Sequence, residues 1–531
     1  MCVIGGGATG AGCALDAQLR GMRTVLLDGA DFASGASSAS TKLVHGGVRY
    51  LEQAVKSLNL EEYRMVRNAL HERVHMLRNA PHLAHASEFL VPVYSWIQAS
   101  YYRAGMKMYD MLAGKQNLFP SRFLSREAAL ERMPGLRRDG LHGAIAYSDG
   151  QFDDARYNLS LVQSFSNEGG QALNYARVAG FTRDGAGKLA AAKARDELTG
   201  DEFSVDARTF VNATGPASDR IRQLASPGIG GRLRPSKGVH VLFPAELSPG
   251  LDALLVPKTE DGRVIFAVPW QGRLLVGTTD DDASPETRMV VLRSEAEYLL
   301  RQLNPYLERP LNAGQIVSGL SGLRPLVAAR RDGSTKELIR DHEVEVDEKS
   351  GLISILGGKW TTHRLMAEDT VNAVQRTQGR PVTECRTRKH VLAGAENYTD
   401  AWWKSLAQEF EIAPDTAKHL AQKFGTRSRD ALALREENSS WKLPIVEGWP
   451  GLRAEVVYCA RKEMAMTVED VLARRIGLQL YDWRMAMWAA PVVGSLLAGE
   501  LGWNREETAA SVETYIRKVS DYQRELGLDK G

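Results

Sequence analysis

Apolar residues follow two different spacings at the start of the chain. Residues 2–4 form an uninterrupted apolar run that predicts a short buried strand, after which Ala11, Leu15 and Leu19 recur at helical spacing. A second short run, 24–27, is followed directly by the carboxylate of Asp28. This order of strand, helix and strand predicts the first unit of a parallel sheet with a crossover helix.

A glycine-rich turn separates the first predicted strand from the first helix. Gly5 permits a tight turn, Gly7 lets backbone amides approach a pyrophosphate, and Gly10 lets the helix lie close to the strand. The helix start presents free N–H groups and the positive end of its dipole to an anion. Asp28 can accept hydrogen bonds from an adenosine ribose. By itself the turn leaves open a loop with no ligand, and it does not distinguish NAD from FAD.

Further strands and helices are predicted from the same periodicities. Strands are expected at 172–178, 209–213, 239–242, 264–268 and 274–276, and a strand, turn and helix at 352–374. Helices are expected at 57–78, 420–424, 456–464, 468–477 and 507–526.

These elements predict an α/β fold, α+β overall. Because 531 residues are too many for one core, the chain is expected to divide into two or three domains. A Rossmann-like dinucleotide-binding domain is expected at about 1–80, 151–225 and 326–380, interleaved with a mixed β-sheet substrate domain at about 81–150 and 226–325. Together they make up one discontinuous domain at 1–380. An all-helical C-terminal domain is expected at 385–531.

Charge and cysteine content exclude several classes of protein. The 67 basic residues nearly balance the 65 acidic ones, so no overall field favours nucleic acid. The four cysteines show neither CxxC spacing nor a disulfide framework, which indicates a reducing compartment and predicts no metal site.

The chain shows no targeting or membrane-spanning signal. The opening strand begins almost at Met1, which excludes a signal peptide, and its shortness leads us to expect a few further upstream residues in the natural protein. No apolar run reaches the length of about 18 residues that a membrane span needs. The nearest, 485–499, contains Pro491 and Gly494 and is predicted to be core or a helix junction.

Serine, threonine and glycine crowd the segment 32–52, which includes Ser37, Ser38, Thr41, Lys42, His45, Gly46, Gly47 and Arg49. This segment resembles the signature of FAD-dependent glycerol-3-phosphate dehydrogenases, members of the D-amino-acid-oxidase-like flavoproteins. The resemblance continues in order through 152–156, 211–216, 236–240, 277–280, 321–326, 357–362, 461–465, 470 and 474–475. An ordered set of blocks is hard to obtain by chance.

The resemblance implies FAD, held noncovalently because no covalent-anchor motif is recognisable. Hydroxyls, amides and a charge in the segment 37–42 are expected to meet the pyrophosphate and the polar edge of the flavin, and Lys359 with its helix start is expected to stabilise the reduced flavin. His45 is expected to pack on the isoalloxazine. The full expected contact set is Gly5, Gly7, Ala8, Thr9, Gly10, Asp28, Ser37, Ser38, Thr41, Lys42, Leu43, His45, Gly46, Gly47, Val178, Gly215, Gly358, Lys359 and Thr361.

The implied substrate is sn-glycerol 3-phosphate, whose oxidation needs cations for the phosphate, a proton acceptor and a C2 hydride aimed at flavin N5. Arg49, Arg324 and Lys359 are the cations within matched motifs. His240 is the expected base because an imidazole accepts a proton near neutrality; a satisfied histidine at a strand edge is the alternative. The expected catalytic residues are His240, Arg324 and Lys359, and the substrate-binding set adds Arg49, Thr279 and Asp280.

The resemblance implies a membrane quinone as the electron acceptor, since no long insertion interrupts the substrate domain. The stretch 96–115 mixes aromatic, apolar and basic residues, as membrane-surface helices do, although a lid or core helix explains it equally well. We therefore expect a cytoplasmic protein attached peripherally to the inner face of the cell membrane. The oligomeric state stays open, with a homodimer as one candidate.

Three other functions remain open at this point. One is an oxidase that acts on the same substrate and is discharged by oxygen. A second is an FAD-dependent oxidoreductase for an amino acid or hydroxycarboxylate, although three motif-placed cations favour a phosphate. The third is a non-enzymatic interaction protein that retains a relict flavin fold.

Overall fold

The computed structural model describes residues 1–47, 60–257, 259–328 and 342–529. Its first sheet has six strands, in the order His342–Val346, Ile353–Gly357, Phe210–Asn212, Cys2–Ile4, Val25–Leu27 and Gln171–Leu173. All neighbours are parallel except the first pair. The helix Ala8–Leu19 connects two adjacent parallel strands, as the apolar pattern predicts.

Burial on both faces explains the uninterrupted apolar runs in this sheet. The side chains of Cys2, Val3 and Ile4 are all at most 4 % exposed, because helices cover one face and a smaller sheet covers the other. The small sheet consists of Ala176–Arg183, Leu189–Asp196 and Glu202–Asp206, all antiparallel.

The prediction of a single strand at 172–178 is wrong, because the chain forms two strands there. The chain breaks after Gln171–Leu173 and resumes at Ala176 in the small sheet. Tyr175 adopts a positive φ of 56° at the break, and its hydroxyl donates to Asp470. The Asn174 amide donates to Asp31 and to the Met464 carbonyl, so contacts with the distant C-terminal region set the break.

The second sheet is large and mixed. Its order is Asp281–Asp282, Ser236–Pro244, Arg273–Gly277, Ile265–Trp270, Ala253–Val256, Ala84–Val93, Gly143–Phe152 and Leu43–Val44, with Ser318–Arg324 paired to Ser236–Pro244 and Arg122–Ser125 paired to Gly143–Phe152. The strands predicted at 239–242, 264–268 and 274–276 all lie in it.

Helices cover the sheets and make up most of the C-terminal region. Before residue 385 they are Ala8–Leu19, Leu60–Asn79, Trp96–Ala113, Arg126–Arg132, Asp154–Asn167, Ser218–Ala225, Arg293–Leu303 and His363–Thr377. After it they are Trp402–Glu409, Pro414–Phe424, Ser428–Ala433, Arg453–Glu463, the π-helical Asp470–Arg475, Leu478–Tyr481, Trp483–Leu501 and Arg505–Leu526. The predicted fold class is confirmed, with mixed sheets followed by helices. The predicted domain boundaries stay a prediction.

The apolar stretch 485–499 belongs to one continuous helix, Trp483–Leu501, with Pro491 inside it. Within the described ranges, every helix is too short or too polar to cross a lipid bilayer.

Buried charge pairs connect the C-terminal helices to the first sheet and its loops. Arg474 Nε lies 2.5 Å from Asp31 Oδ2, and an Arg475 amino group lies 2.8 Å from Asp31 Oδ1. Arg156 donates to both carboxylate oxygens of Glu463 at 2.6 and 2.8 Å. Burial alone would raise the pKa of Asp31, but the two arginines outweigh it and hold that pKa below its usual range.

Replacing Arg475 by methionine should destabilise the protein strongly. The variant keeps much of the side-chain volume but removes one of the two cations on a fully buried carboxylate, which typically costs about 3–5 kcal/mol. Urea unfolding measures the change. Arg524→Met is the control, because Arg524 pairs with Asp521 on the surface and its loss should cost less than about 1 kcal/mol. Equal effects of the two substitutions would contradict a supporting role for Arg475.

Candidate active site

A cavity of about 650 Å³ lies where the first sheet meets the large mixed sheet. Residues from both sheets and from the segment between Val25–Leu27 and Leu43–Val44 line it. It brings together most of the site residues that the sequence predicts: Gly5, Gly7, Ala8, Thr9, Asp28, Ser37, Thr41, Leu43, His45, Gly47, Val178, Gly215, His240, Asp280, Arg324, Gly358, Lys359 and Thr361.

Five predicted residues do not line this cavity, and one lies outside the described residues. The five residues that lie outside the cavity lining are Gly10, Ser38, Lys42, Gly46 and Thr279. Arg49 belongs to the range 48–59, which the structure does not describe.

The glycine turn forms a close-packed cradle at one end of the cavity. A Cβ on Gly10 would lie 1.8 Å from the Gly5 carbonyl oxygen, so only glycine allows the helix to approach the strand this closely. A Cβ on Gly7 would lie 2.8 Å from Ser37 Oγ. That hydroxyl accepts the Ala8 amide at 2.9 Å and so caps the helix start. The cradle leaves backbone at the cavity surface, as a bound pyrophosphate requires.

Asp28 lies at the cavity rim at the end of its strand. Its carboxylate accepts the amides of Gly6 at 2.5 Å and Ala30 at 2.9 Å. Burial raises its pKa to about 6 despite these two bonds. A ligand hydroxyl that donates to this carboxylate would favour its charged form, so the position fits the predicted ribose contact.

Lys42 points away from the cavity, against the predicted role of its charge. Its ammonium group is buried, lies 2.5 Å from Asp154 Oδ1 and donates to the Ser38 carbonyl at 2.7 Å. The Lys42 φ of 61° turns the chain at this point. The lysine therefore fixes the shape of the segment from behind. Thr279 has a similar place, because its hydroxyl accepts the Val239 amide at 3.1 Å.

His240 is buried in the strand Ser236–Pro244 and lines the cavity. Its Nε2 lies 3.0 Å from Thr41 Oγ1, and its Nδ1 meets no hydrogen-bonding partner within the described part of the chain. Burial, with Arg324 and Lys42 adding to it, lowers the pKa of His240 to about 3. The imidazole is therefore neutral at ordinary pH.

Arg324 lies beside His240 at the same end of the cavity. Its guanidinium donates to Asp280 Oδ1 at 3.1 Å, Thr278 Oγ1 at 2.8 Å and the Thr279 carbonyl at 2.9 Å. A Cβ on Gly238 would lie 2.4 Å from the guanidinium, so a larger residue there would displace the guanidinium from these contacts. These contacts fix a planar cation near a neutral imidazole.

Lys359 and His45 form a second group at the cavity wall. Lys359 precedes the helical turn Trp360–Thr362, and its ammonium lies 3.4 Å from Met65 Sδ. The Thr361 hydroxyl accepts the His45 amide at 3.3 Å. Burial, followed by the charge of Lys359, lowers the pKa of His45 to about 4, so this imidazole is neutral too.

Several polar residues that line the cavity are absent from the predicted set, and the four largest are of most interest. Arg177, Arg220, Arg263 and Trp360 line the cavity. Trp360 could have been found, since it lies within a motif block, and its indole N–H donates to the Ser37 carbonyl at 2.9 Å. Arg263 pairs with Asp261 at 3.0 Å, in a turn with no motif to single it out.

Two family models together match most of the chain. The family model "FAD dependent oxidoreductase" matches residues 1–372, and the model "C-terminal domain of alpha-glycerophosphate oxidase" matches residues 385–508. The protein is thus an FAD-dependent oxidoreductase, which confirms the cofactor that the resemblance implies.

Individual relatives are more specific. The mitochondrial glycerol-3-phosphate dehydrogenase of Homo sapiens is 39% identical over 98% of this chain and 73% of its own length. A probable mitochondrial glycerol-3-phosphate dehydrogenase of Caenorhabditis elegans is 41% identical over 96% of this chain and 72% of its own. The structure of glycerol-3-phosphate dehydrogenase from Bacillus halodurans complexed with FAD superposes with a TM-score of 0.78 at 29% identity, covering 99% of this chain and 94% of the other. The chain belongs to the family of FAD-dependent glycerol-3-phosphate dehydrogenases.

Gly277→Ala should abolish activity while FAD still binds. A Cβ at this position would lie 2.1 Å from His240 Cδ2, so the imidazole would have to leave its place. We expect a loss of at least about a hundredfold in kcat/KM, since a misplaced base forfeits most of its proton-transfer contribution. Gly180→Ala is the control, because no described atom lies within 4 Å of its Cβ position. Wild-type activity of Gly277→Ala would contradict the placement of His240.

Proposed function

We propose that this protein oxidises sn-glycerol 3-phosphate to dihydroxyacetone phosphate and passes the electrons to a membrane quinone. The observation that carries the proposal is a buried neutral imidazole, His240, next to the guanidinium of Arg324 in a cavity that continues to the dinucleotide cradle. The names of the relatives support the choice of substrate.

His240 is proposed to take the proton of the C2 hydroxyl. A neutral imidazole has one nitrogen with a free electron pair, so the ring can accept one proton without losing an ion pair, and Thr41 Oγ1 lies 3.0 Å from its Nε2. The low pKa belongs to the protein alone; a dianionic phosphate nearby would raise it, because a negative charge favours the imidazolium. When bound, FAD would accept the hydride from C2 at N5 and hold two electrons.

Arg324, Lys359 and Arg49 are proposed as the cations for the substrate phosphate. Arg324 presents a planar fork suited to phosphate, and Lys359 a point charge. Asp280 is proposed to orient Arg324 through the 3.1 Å contact, with Thr279 supporting the wall from behind. For the cofactor, held noncovalently, Gly358, Lys359 and Thr361 are proposed to meet the flavin's polar edge.

Arg324→Ala should weaken the apparent affinity for sn-glycerol 3-phosphate by about ten- to a hundredfold, the usual cost of losing a charge-assisted contact to a buried anion. FAD content should stay unchanged, because the cradle residues are untouched. Steady-state rates with an artificial electron acceptor measure the change.

Arg234→Ala is the matched control for this variant. Arg234 pairs with Asp282 near the same sheet edge, but its side chain is 60% exposed, so its loss should leave the affinity unchanged. An Arg324→Ala enzyme with wild-type affinity would overturn the phosphate role of Arg324.

The helix Trp96–Ala113 is proposed as the membrane-facing element. Its inner face buries Ala99, Met106, Tyr109 and Ala113. Its outer face exposes Trp96, Ile97, Tyr101 and Met111, with exposed fractions between 51% and 83%. Large apolar side chains on one face of a helix suit the headgroup region of a bilayer, where a lipid-soluble quinone can be reached. The proposal places the protein in the cytoplasm, on the inner face of the cell membrane.

Changing Trp96, Tyr101 and Lys107 together to Ser, Ser and Glu should reduce co-sedimentation with vesicles that contain anionic lipid. The change removes two aromatic anchors and reverses one charge near the surface, where each basic residue contributes about 1 kcal/mol. Trp488→Ser is the control, since Trp488 is 68% exposed on a C-terminal helix. Loss of sedimentation in the control but not in the triple variant would move the membrane face to the C-terminal helices.

A further inference from the structure

The turn formed by residues 45–47 is held from behind by a tyrosine that does not line the cavity. His45 and Gly47 face the cavity, while the Gly46 amide points away and donates to the Tyr109 hydroxyl at 2.8 Å. The same hydroxyl lies 2.9 and 3.0 Å from the two carboxylate oxygens of Asp149 and donates to that group. Tyr109 thus connects a backbone amide of the cavity wall to a buried charge.

The charge behind Tyr109 is itself fixed. Arg73 donates to Asp149 Oδ1 at 2.6 Å and to the Ser148 carbonyl at 3.0 Å, and all three groups are buried. The strand Gly143–Phe152 carries Asp149, and the helix Leu60–Asn79 carries Arg73. The Asp149 carboxylate, which accepts the hydrogen bond from the Tyr109 hydroxyl, is therefore held in a fixed position.

Packing leaves the turn little freedom around this contact. A Cβ on Gly46 would lie 2.7 Å from both the Tyr109 hydroxyl and Leu70 Cγ. The ring of Tyr109 is 2% exposed and meets Tyr147 edge-on, with ring centroids 6.2 Å apart. A shift of Tyr109 must therefore move Gly46 or break its hydrogen bond.

We propose that Tyr109 is a positioning residue that ties the helix Trp96–Ala113 to the His45–Gly47 wall of the cofactor cavity. Tyr109 lies on the buried face of the helix whose opposite face exposes Trp96 and Tyr101. The contact fixes the position of the turn relative to the flavin. That position therefore depends on the helix Trp96–Ala113. The link to catalysis rests on the proposed function.

Tyr109→Phe tests the role, because it removes the hydroxyl and keeps the ring. Hydrogen exchange followed by mass spectrometry on peptides covering 43–47 should show at least about tenfold faster exchange at Gly46, since its amide loses the hydroxyl at 2.8 Å and keeps only its interaction with the Asp149 carboxylate. With sn-glycerol 3-phosphate, kcat should fall about five- to tenfold while KM stays within about twofold, because the turn contacts cofactor rather than substrate. The absorption spectrum of the bound flavin should shift.

Tyr147→Phe is the matched control. Its ring also lies close to Asp149 and stacks on Phe89, yet no hydrogen bond joins Tyr147 to the 45–47 turn in the described structure. This variant should leave exchange, flavin spectrum and kcat unchanged. Identical behaviour of the two variants, or unaltered exchange at Gly46 in Tyr109→Phe, would overturn the proposal.

Hydrogen exchange and the flavin spectrum do not depend on the substrate. If the wild type fails to oxidise sn-glycerol 3-phosphate but Tyr109→Phe still alters both readouts, the proposed function fails and the positioning role stands. If Tyr109→Phe folds poorly, hydrogen exchange of the wild type still tests the contact. Strong protection of the Gly46 amide supports it, and fast exchange at Gly46 overturns it.

Discussion

Buried charges behind the segment 28–47 are the constraint on which the cavity depends. This segment leaves the first sheet after Val25–Leu27 and enters the large sheet at Leu43–Val44, so its shape sets the distance between the two sheets. Asp31 is held by Arg474 and Arg475, Lys42 by Asp154, and the Gly46 amide by Tyr109 and Asp149. The partners come from three parts of the chain, at residues 109, 149–154 and 474–475.

Buried ion pairs of this kind fix the positions of the paired groups more than they raise the free energy of unfolding. Removing charges from water costs several kcal/mol for each ion, and a close partner only offsets this cost, so a buried pair is expected where position matters. Here the pairs lie on the outer side of the cavity wall, and the inner side presents backbone and small side chains to the cofactor. The C-terminal helices contribute Arg474 and Arg475, which links their packing to the shape of the cofactor site.

The sequence predicts those features that depend on local pattern. The glycine turn, the strand ending in Asp28 and the helical C-terminal region follow from spacing, and the ordered motifs identify the family. The structural role of Lys42 could not be predicted from local pattern, because its partner Asp154 lies 112 residues away. A lysine in a serine-rich loop resembles a ligand contact. Tyr175 likewise depends on its contact with Asp470, which no local pattern predicts.

We propose that the cavity oxidises sn-glycerol 3-phosphate and delivers the electrons to a membrane quinone. Double-mixing stopped flow tests it most directly: the yellow protein is mixed anaerobically with sn-glycerol 3-phosphate, then with either a short-chain quinone or oxygenated buffer. We predict rapid bleaching of the flavin band, no bleaching by glycerol, and much faster recovery with quinone than with oxygen. A flavin that sn-glycerol 3-phosphate does not reduce would contradict the account, and rapid recovery with stoichiometric peroxide in oxygen alone would make the protein an oxidase.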